Sequence, residues 1–118
     1  MIQYAVRLTK TAKQDLRQIA FYLAEQERNR ESAKQFIQEL KTQCARLAEF
    51  PYSGALPKDH VLLSMGYRFL THKSYLIFYA VDENEKAVHI LAVFNARQDY
   101  FRVMKEIKGE NYVLSETV

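Results

Sequence analysis

The chain has 118 residues, of which 48% are hydrophobic and 26% charged, and it contains only three glycines and two prolines. This composition excludes a disordered or fibrous chain and predicts one compact domain over residues 1–118, able to fold without disulfides or a structural metal. The formal net charge of +3 permits an acidic partner such as nucleic acid but does not establish one.

The first half of the chain predicts one strand followed by two helices. Residues Ile2–Leu8 alternate loosely between apolar and polar types and include β-formers, which indicates a strand. Thr9 or Thr11 can then cap a first helix, whose apolar residues recur three and four positions apart and therefore share one face. These residues are Leu16, Ile19, Ala20, Leu23 and Ala24.

A second helix is predicted after a short polar break, with Ser32 as its cap. Its apolar stripe consists of Ala33, Phe36, Ile37, Leu40, Cys44 and Leu47. Two helices with so short a connection should pack as an antiparallel hairpin. Cys44 is one residue of this stripe and is the only cysteine, so we expect it in the core, with no internal disulfide and no zinc cluster.

The second half of the chain predicts a sheet. A loop at 51–60 holds both prolines and one glycine and ends the helical half. Four strands are predicted after it, with the sequences VLLS (61–64), YRFLTH (67–72), YLIFYAVD (75–82) and AVHILAVFN (87–95). The last two are apolar on both faces, as central strands are, whereas Arg68, Leu70 and His72 give YRFLTH one wet face. A short helix over 98–107, with Gly109 as its stop, and a polar tail over 109–118 complete the chain.

These elements predict an α+β fold. An N-terminal strand leads into an antiparallel helical hairpin, and the apolar stripes of both helices need a flat apolar partner. We therefore expect the hairpin to pack on one face of an antiparallel sheet of four or five strands, with a short C-terminal helix.

Arg97 is the first candidate functional residue, because it directly follows the end of an otherwise buried strand. An arginine in this place is either an ordinary exposed or ion-paired residue or a ligand for an anion. His72 and Lys73 lie at the turn after YRFLTH, on the same side as Arg68 if the alternation holds. They either extend a basic patch around Arg97 or form a solvated turn.

The remaining candidates have mainly structural interpretations. Tyr100 either stacks on a base or packs under the last helix, and we favour packing. Asp99 is placed to cap that helix or to pair with Arg97. His60, His72 and His89 lack metal-ligand spacing, and His89 lies within an apolar strand, where a hydrogen-bonded structural histidine is expected. We therefore predict no metal and no cofactor.

The N-terminal segment lacks the apolar run of a signal peptide, and no stretch approaches the roughly 18 apolar residues of a membrane span. We expect a cytoplasmic protein with no membrane partner.

The order and spacing of these segments resemble the RelE/ParE superfamily of toxins from bacterial type II toxin-antitoxin systems. The resemblance lies in FPYSG (50–54), in the sheet sequence from 66 to 100, and in the spacing between YLIFY and ARQD. It extends from Tyr4 to about Ile107. It implies the α+β fold given above and a cognate antitoxin whose C-terminal segment lies along the sheet and the helical hairpin. It also implies contact with operator DNA only through that antitoxin.

For the RelE branch, the resemblance implies a ribosome-dependent mRNA endonuclease in which Arg97 holds the phosphate at the cleaved bond, with Arg68 as a second catalytic cation. The sequence departs from that branch at several positions. Leu76 replaces a second arginine, Val103 replaces a tyrosine, and Leu70 stands where a lysine would fall. The chain also lacks the terminal histidine of the YoeB branch, so groups for proton transfer are missing.

The ParE branch is more similar, particularly in FPYSG, YLIFYAV and VHILAVFNARQD. Its members bind and poison DNA gyrase and need no catalytic set, so the sequence is predicted to encode a growth-arresting toxin of this kind. The expected target-binding residues are Arg68, His72, Lys73, Arg97 and Tyr100. The alternatives are the mRNA endonuclease and an inactive member that binds only its antitoxin and DNA.

Overall fold

The computed structural model describes residues 3–97 and 114–117. Its elements in chain order are β1 (Ala5–Thr9), α1 (Lys10–Glu27), α2 (Arg30–Ala45), a 3-10 turn (Arg46–Ala48), α3 (His60–Ser64), β2 (Tyr67–His72), β3 (Tyr75–Asp82), β4 (Ala87–Asn95) and β5 (Leu114–Thr117). The predicted short helix over 98–107 and its stop at Gly109 lie outside the described residues.

The strands form one five-stranded sheet in the order β2-β3-β4-β1-β5, with β3 and β4 near its centre as predicted. The α+β class and the helical hairpin after the N-terminal strand are confirmed, but the sheet is mixed because β1 pairs with β4 in parallel. Tight turns force β2, β3 and β4 to be antiparallel, whereas β1 and β4 are separated by two helices and a long loop. That long connection leaves the relative direction of β1 and β4 free.

Two predicted elements are wrong. The segment VLLS forms α3 instead of a strand, because the Asp59 carboxylate accepts a hydrogen bond from the Leu62 backbone N–H at 2.9 Å and caps a helical turn. Residues 114–117 of the predicted polar tail form β5, which is antiparallel to β1.

The N-caps of the two long helices are satisfied by side chains. Thr9 caps α1, as one of the two predicted alternatives, by accepting from the Ala12 N–H at 3.2 Å. Its hydroxyl also donates to the Ile90 carbonyl at 2.8 Å, so the cap ties the start of α1 to β4. The cap of α2 is Asn29 rather than Ser32, because the Asn29 Oδ1 accepts from the backbone N–H groups of residues 31 and 32.

The core divides into two clusters, one on each face of the sheet. The larger cluster joins the sheet to the predicted stripes of α1 and α2 and includes Leu16, Ile19, Leu40, Cys44, Leu47, Ile77, Tyr79 and Ile90. Burial raises the pKa of the Cys44 thiol to about 12, which agrees with its predicted place in the core. The smaller cluster packs Leu62 of α3 against the opposite face, on Tyr67, Phe78, Leu91, Ala92 and Phe94.

Candidate functional site

The end of β4 and the β2–β3 turn lie side by side at one end of the sheet. Tyr75 pairs with Asn95, and the Ala96 N–H donates to the Ser74 carbonyl at 2.7 Å. The Asn95 side chain accepts from the Arg97 backbone N–H at 2.9 Å. These bonds fix the main chain of Arg97 directly beside the turn that carries Lys73.

Arg97 is exposed, and no residue within 3–97 or 114–117 forms a hydrogen bond or ion pair with its guanidinium. A guanidinium stays charged and presents a fork of donors that suits carboxylate or phosphate oxygens. The structure therefore provides an available cation on a fixed backbone at the end of the sheet.

His72 and Lys73 share one carboxylate from α2. The His72 Nε2 is 3.0 Å from the Glu39 Oε1, and the Lys73 Nζ is 3.7 Å from the same oxygen. The hydrogen bond from His72, followed by the charge of Lys73, holds the pKa of Glu39 below its ordinary value. Phe36, one turn earlier on α2, packs against the His72 ring at 5.4 Å between centroids.

Arg68 lies apart from this group. It pairs with Tyr79 in the β2–β3 ladder, whereas His72 pairs with Tyr75, so about 13 Å of strand separates the two β2 residues. The Arg68 guanidinium donates to the carbonyls of Tyr52 at 3.2 Å and Gly54 at 3.0 Å. It also lies 5.2 Å from the Tyr52 ring centroid. The face of β2 that was predicted to be solvent-exposed is therefore half-buried, and its Arg68 side chain binds the loop that contains FPYSG.

The loop that contains FPYSG is held against the sheet. Ala55 and Phe69 exchange two backbone hydrogen bonds, of 2.8 and 3.0 Å. The hydroxyl of the fully buried Tyr79 accepts from the Gly54 N–H at 2.9 Å. A Cβ at position 54 would lie 2.5 Å from that hydroxyl oxygen and 2.9 Å from the Phe69 carbonyl oxygen. The glycine of this segment is thus required by close approach to the sheet.

A second charged network occupies the opposite end of the sheet, at the β3–β4 turn. The Tyr4 hydroxyl donates to the Glu83 carboxylate, and the Lys86 Nζ lies 3.7 Å from it. The hydrogen bond from Tyr4 is the main cause of the lowered pKa of Glu83, and Tyr52 adds to it. Sequence analysis did not find this network, because its members come from the residue before β1, the FPYSG loop and the β3–β4 turn.

Asp15 is a half-buried carboxyl that sequence analysis also missed. Its Oδ2 accepts from the Val93 backbone N–H at 3.0 Å, at a part of β4 that extends beyond the last residue of β1 paired with it. Burial raises the pKa of Asp15 to about 6, partly offset by that hydrogen bond. The available signal was its spacing, because Asp15 lies three residues after Ala12 and four before Ile19 on the buried face of α1.

Asp82, Glu85 and His89 form the group in the described part of the chain that could hold a metal ion, with one ligand atom from each within 4.8 Å of the others. Glu85 already has an arginine partner, and the other two side chains of the group approach each other. The Arg7 Nη1 lies 3.3 Å from Glu85, and the His89 Nε2 lies 3.9 Å from Asp82. His89 is 7% exposed, and its predicted role as a hydrogen-bonded structural histidine stays a prediction.

Tyr100 and Asp99 lie outside the described residues. Within the described chain, no helix is long and apolar enough to cross a bilayer.

Comparison with known proteins gave a family match and structural relatives. Residues 6–100 match the family described as ParE toxin of type II toxin-antitoxin system, parDE. No curated protein matches the sequence.

Two similar structures are toxin–antitoxin systems. The chain is 22% identical to a chain of the toxin-antitoxin complex RelBE2 from Mycobacterium tuberculosis, with a TM-score of 0.61 over 80% of this chain and 93% of that one. It is also 22% identical to a chain of the chromosomal ParDE system from P. aeruginosa, with a TM-score of 0.66 over 79% of this chain and 96% of that one. At this identity the likeness shows a shared fold.

Proposed function

Because the chain belongs to the ParE toxin family of type II toxin-antitoxin systems, we propose that it arrests growth by binding and poisoning DNA gyrase. A cognate antitoxin neutralises it, and operator DNA is contacted only through that antitoxin. The observation that carries the gyrase proposal is the exposed guanidinium of Arg97, held on a fixed backbone beside the β2–β3 turn.

The surroundings of Arg97 support a binding role more than bond cleavage. Leu76 stands where the RelE branch has its second arginine, and it packs with the core cluster under α3. Leu70 stands where that branch has a lysine, and it packs with the core under the helical hairpin. Neither can move a proton or stabilise a developing charge. A binding toxin needs no such groups, so Arg97 and Lys73 can supply the positive charge of the contact surface, with His72 as a polar neighbour.

Arg68 and Tyr100 complete the set expected to bind the target. We propose that Arg68 acts mainly by holding the FPYSG loop, because its guanidinium is bound by two loop carbonyls. Tyr100 lies three residues after Arg97 in sequence, outside the described residues, and we keep it as a proposed contact.

One observation favours the mRNA endonuclease as a second candidate. His72 and Glu39 form a hydrogen-bonded pair at 3.0 Å beside the turn next to Arg97, and a carboxylate-oriented histidine is a common general base. If this function holds, His72→Gln abolishes mRNA cleavage while leaving ribosome binding, whereas in a gyrase poison the same change weakens gyrase binding without abolishing growth arrest.

The experiment that separates the candidates is induction of the protein in a bacterium, with supercoiling, the SOS response and translation followed over the first minutes. The proposal expects loss of supercoiling and SOS induction before translation stops. Arrest of translation with cut mRNA first would assign the endonuclease, and absence of any growth arrest would assign the inactive member.

The antitoxin partner has a candidate docking groove along α2 and β2. A groove of about 900 Å³ there is lined by residues that include Thr42, Ala45, Arg46, Phe50, Ser53 and Leu70. Phe50 is 60% exposed at its rim, which provides apolar surface for a partner segment. We propose that the C-terminal segment of the antitoxin occupies this groove as it passes along the hairpin and the sheet.

The groove is tested with a charge at an exposed lining position. Ala45→Glu should keep toxicity but lose rescue and co-purification with the neighbouring antitoxin gene product. Ser64→Glu, an equal charge change on exposed α3 outside the groove, is the matched control and should still be rescued. Full rescue of Ala45→Glu would place the antitoxin elsewhere.

A further inference from the structure

Two lysines occupy hairpin turns of the sheet in the same unusual backbone conformation. Lys73 in the β2–β3 turn has φ 54°, and Lys86 in the β3–β4 turn has φ 51°. A side chain with a Cβ is disfavoured in this left-handed region, so the surroundings must hold each residue there.

The contacts that hold the two lysines are nearly the same. The Lys73 Nζ is 3.7 Å from the Glu39 carboxylate and 5.3 Å from the centroid of the Phe36 ring. The Lys86 Nζ is 3.7 Å from the Glu83 carboxylate and 5.5 Å from the centroid of the Tyr4 ring. A carboxylate and an aromatic face therefore contact each ammonium group and favour one placement of it.

The two sites differ in what surrounds them. Lys86 pairs with a glutamate of its own turn, at the opposite end of the sheet from Arg97. Lys73 is held from another element, α2, and its turn is bonded to the chain at Ala96, next to Arg97. Only at this end, within the described chain, does a lysine with these two contacts lie in a turn that is bonded to the segment carrying Arg97.

We infer that Glu39 and Phe36 are positioning residues, which fix the Lys73 ammonium beside Arg97 so that both cations meet an acidic surface of gyrase together. This inference rests on the proposed function. An ammonium that is already immobilised loses little further freedom on binding, which strengthens the contact.

The ligand chemistry follows from the charge of the cluster. Glu39 contacts both Lys73 and His72 and cancels part of the positive charge of Lys73. A partly cancelled field suits the separate carboxylates of a protein surface better than the continuous charge of a DNA backbone. The inferred partner surface is therefore on gyrase itself and does not require bound DNA.

The test measures binding of the purified chain to gyrase holoenzyme without DNA, at several salt concentrations, together with a thermal melt of each variant. Glu39→Gln should bind roughly two- to tenfold more weakly, because Lys73 must then be ordered on binding. Glu39→Asp should restore part of the affinity. Glu83→Gln removes the equivalent carboxylate at Lys86 and should leave gyrase affinity unchanged.

Substitutions of the two lysines distinguish the effect of backbone strain from the effect on gyrase binding. Lys73→Gly and Lys86→Gly should both raise the melting temperature, because glycine adopts positive φ without strain. Lys73→Gly alone should weaken gyrase binding about tenfold and reduce its salt dependence, since one charge-assisted contact is lost.

The outcomes are distinguishable. Wild-type binding with unchanged or tighter binding of Glu39→Gln would overturn the inference and leave the proposed function standing. A loss of affinity seen only with DNA-loaded gyrase would assign the contact to phosphate and overturn the choice of a protein surface. No binding by the wild-type chain would overturn the gyrase target and this inference with it.

Discussion

Gly54 is the residue at which one methyl group is expected to be most costly. A Cβ there would meet the buried Tyr79 ring and the Phe69 carbonyl, neither of which has room to move. We expect Gly54→Ala to lower the free energy of unfolding by about 1 to 3 kcal/mol, as overpacking of a tight site does. Chemical denaturation of the purified variant measures this value, and an unchanged midpoint would contradict the packing described.

A double-mutant cycle tests whether the Tyr79 hydroxyl causes part of the destabilisation by Gly54→Ala. Tyr79→Phe alone should destabilise by about 1 to 3 kcal/mol, because the Gly54 N–H loses its acceptor. It also removes the nearest atom to the added Cβ, so the double variant should be more stable than the sum of the single effects predicts. Strict additivity would show that the two groups do not meet.

Asp15 makes stability depend on pH in a direction opposite to most carboxyl groups. Its pKa in the folded protein is raised to about 6, above the ordinary value of about 3.9. The resulting stabilisation is fully present below about pH 4 and is lost as pH rises through about 6, since the folded state holds the proton more tightly.

Asp15→Asn should therefore be more stable than the wild type at pH 7, because the amide oxygen can still accept from the Val93 N–H without a buried charge. The difference between the two proteins should shrink towards pH 4. Thermal melts of both across pH 4–8 test this, and a gap that widens as pH falls would contradict the raised pKa.

At the scale of elements, hydrophobic periodicity was sufficient to predict the long helices and strands but not the short ones. The stripes of α1 and α2 and the three long strands were predicted because each repeats its pattern several times. The four residues of VLLS are too few to show a helical or strand periodicity, and the Asp59 carboxylate favours a helix by capping it. The parallel pairing of β1 and the inclusion of β5 depend on contacts between distant parts of the chain.

Asp59→Ala tests the assignment of α3. Loss of the cap should destabilise the protein by about 1 kcal/mol, as removal of an N-cap typically does. Ser64→Ala, at the other end of the same helix, removes only an exposed hydroxyl that donates to Val61 and should have a smaller effect. Equal effects of the two substitutions on the denaturation midpoint would count against the cap.

At the scale of the whole molecule, the sequence located one part of the candidate site and left another undefined. Arg97 was identified because a strand ends just before it, and the structure places that end beside the turn with His72 and Lys73. Alternation along one strand could not reveal that Arg68 faces the FPYSG loop, because that loop was predicted without its place against the sheet. Glu39 was not identified, because its role depends on how α2 packs on β2.

The fold separates two charged ends. The β3–β4 end is a network of paired side chains around Glu83 that holds β1, the loop and the turn together. The other end presents Arg97 unpaired within the described chain. This asymmetry is the basis for our proposal that gyrase is contacted at the Arg97 end.

The most direct test of that claim is a supercoiling assay with purified gyrase, relaxed plasmid and increasing concentrations of the wild-type or Arg97→Ala protein. Loss of one charge-assisted contact costs about 1.5 to 3 kcal/mol, so Arg97→Ala should need roughly ten- to more than hundredfold more protein for equal inhibition. Its melting temperature should be unchanged because the side chain is exposed, and Arg17→Ala, an exposed arginine on α1, should inhibit like the wild type. A folded Arg97→Ala protein that inhibits gyrase at the wild-type concentration would contradict the account.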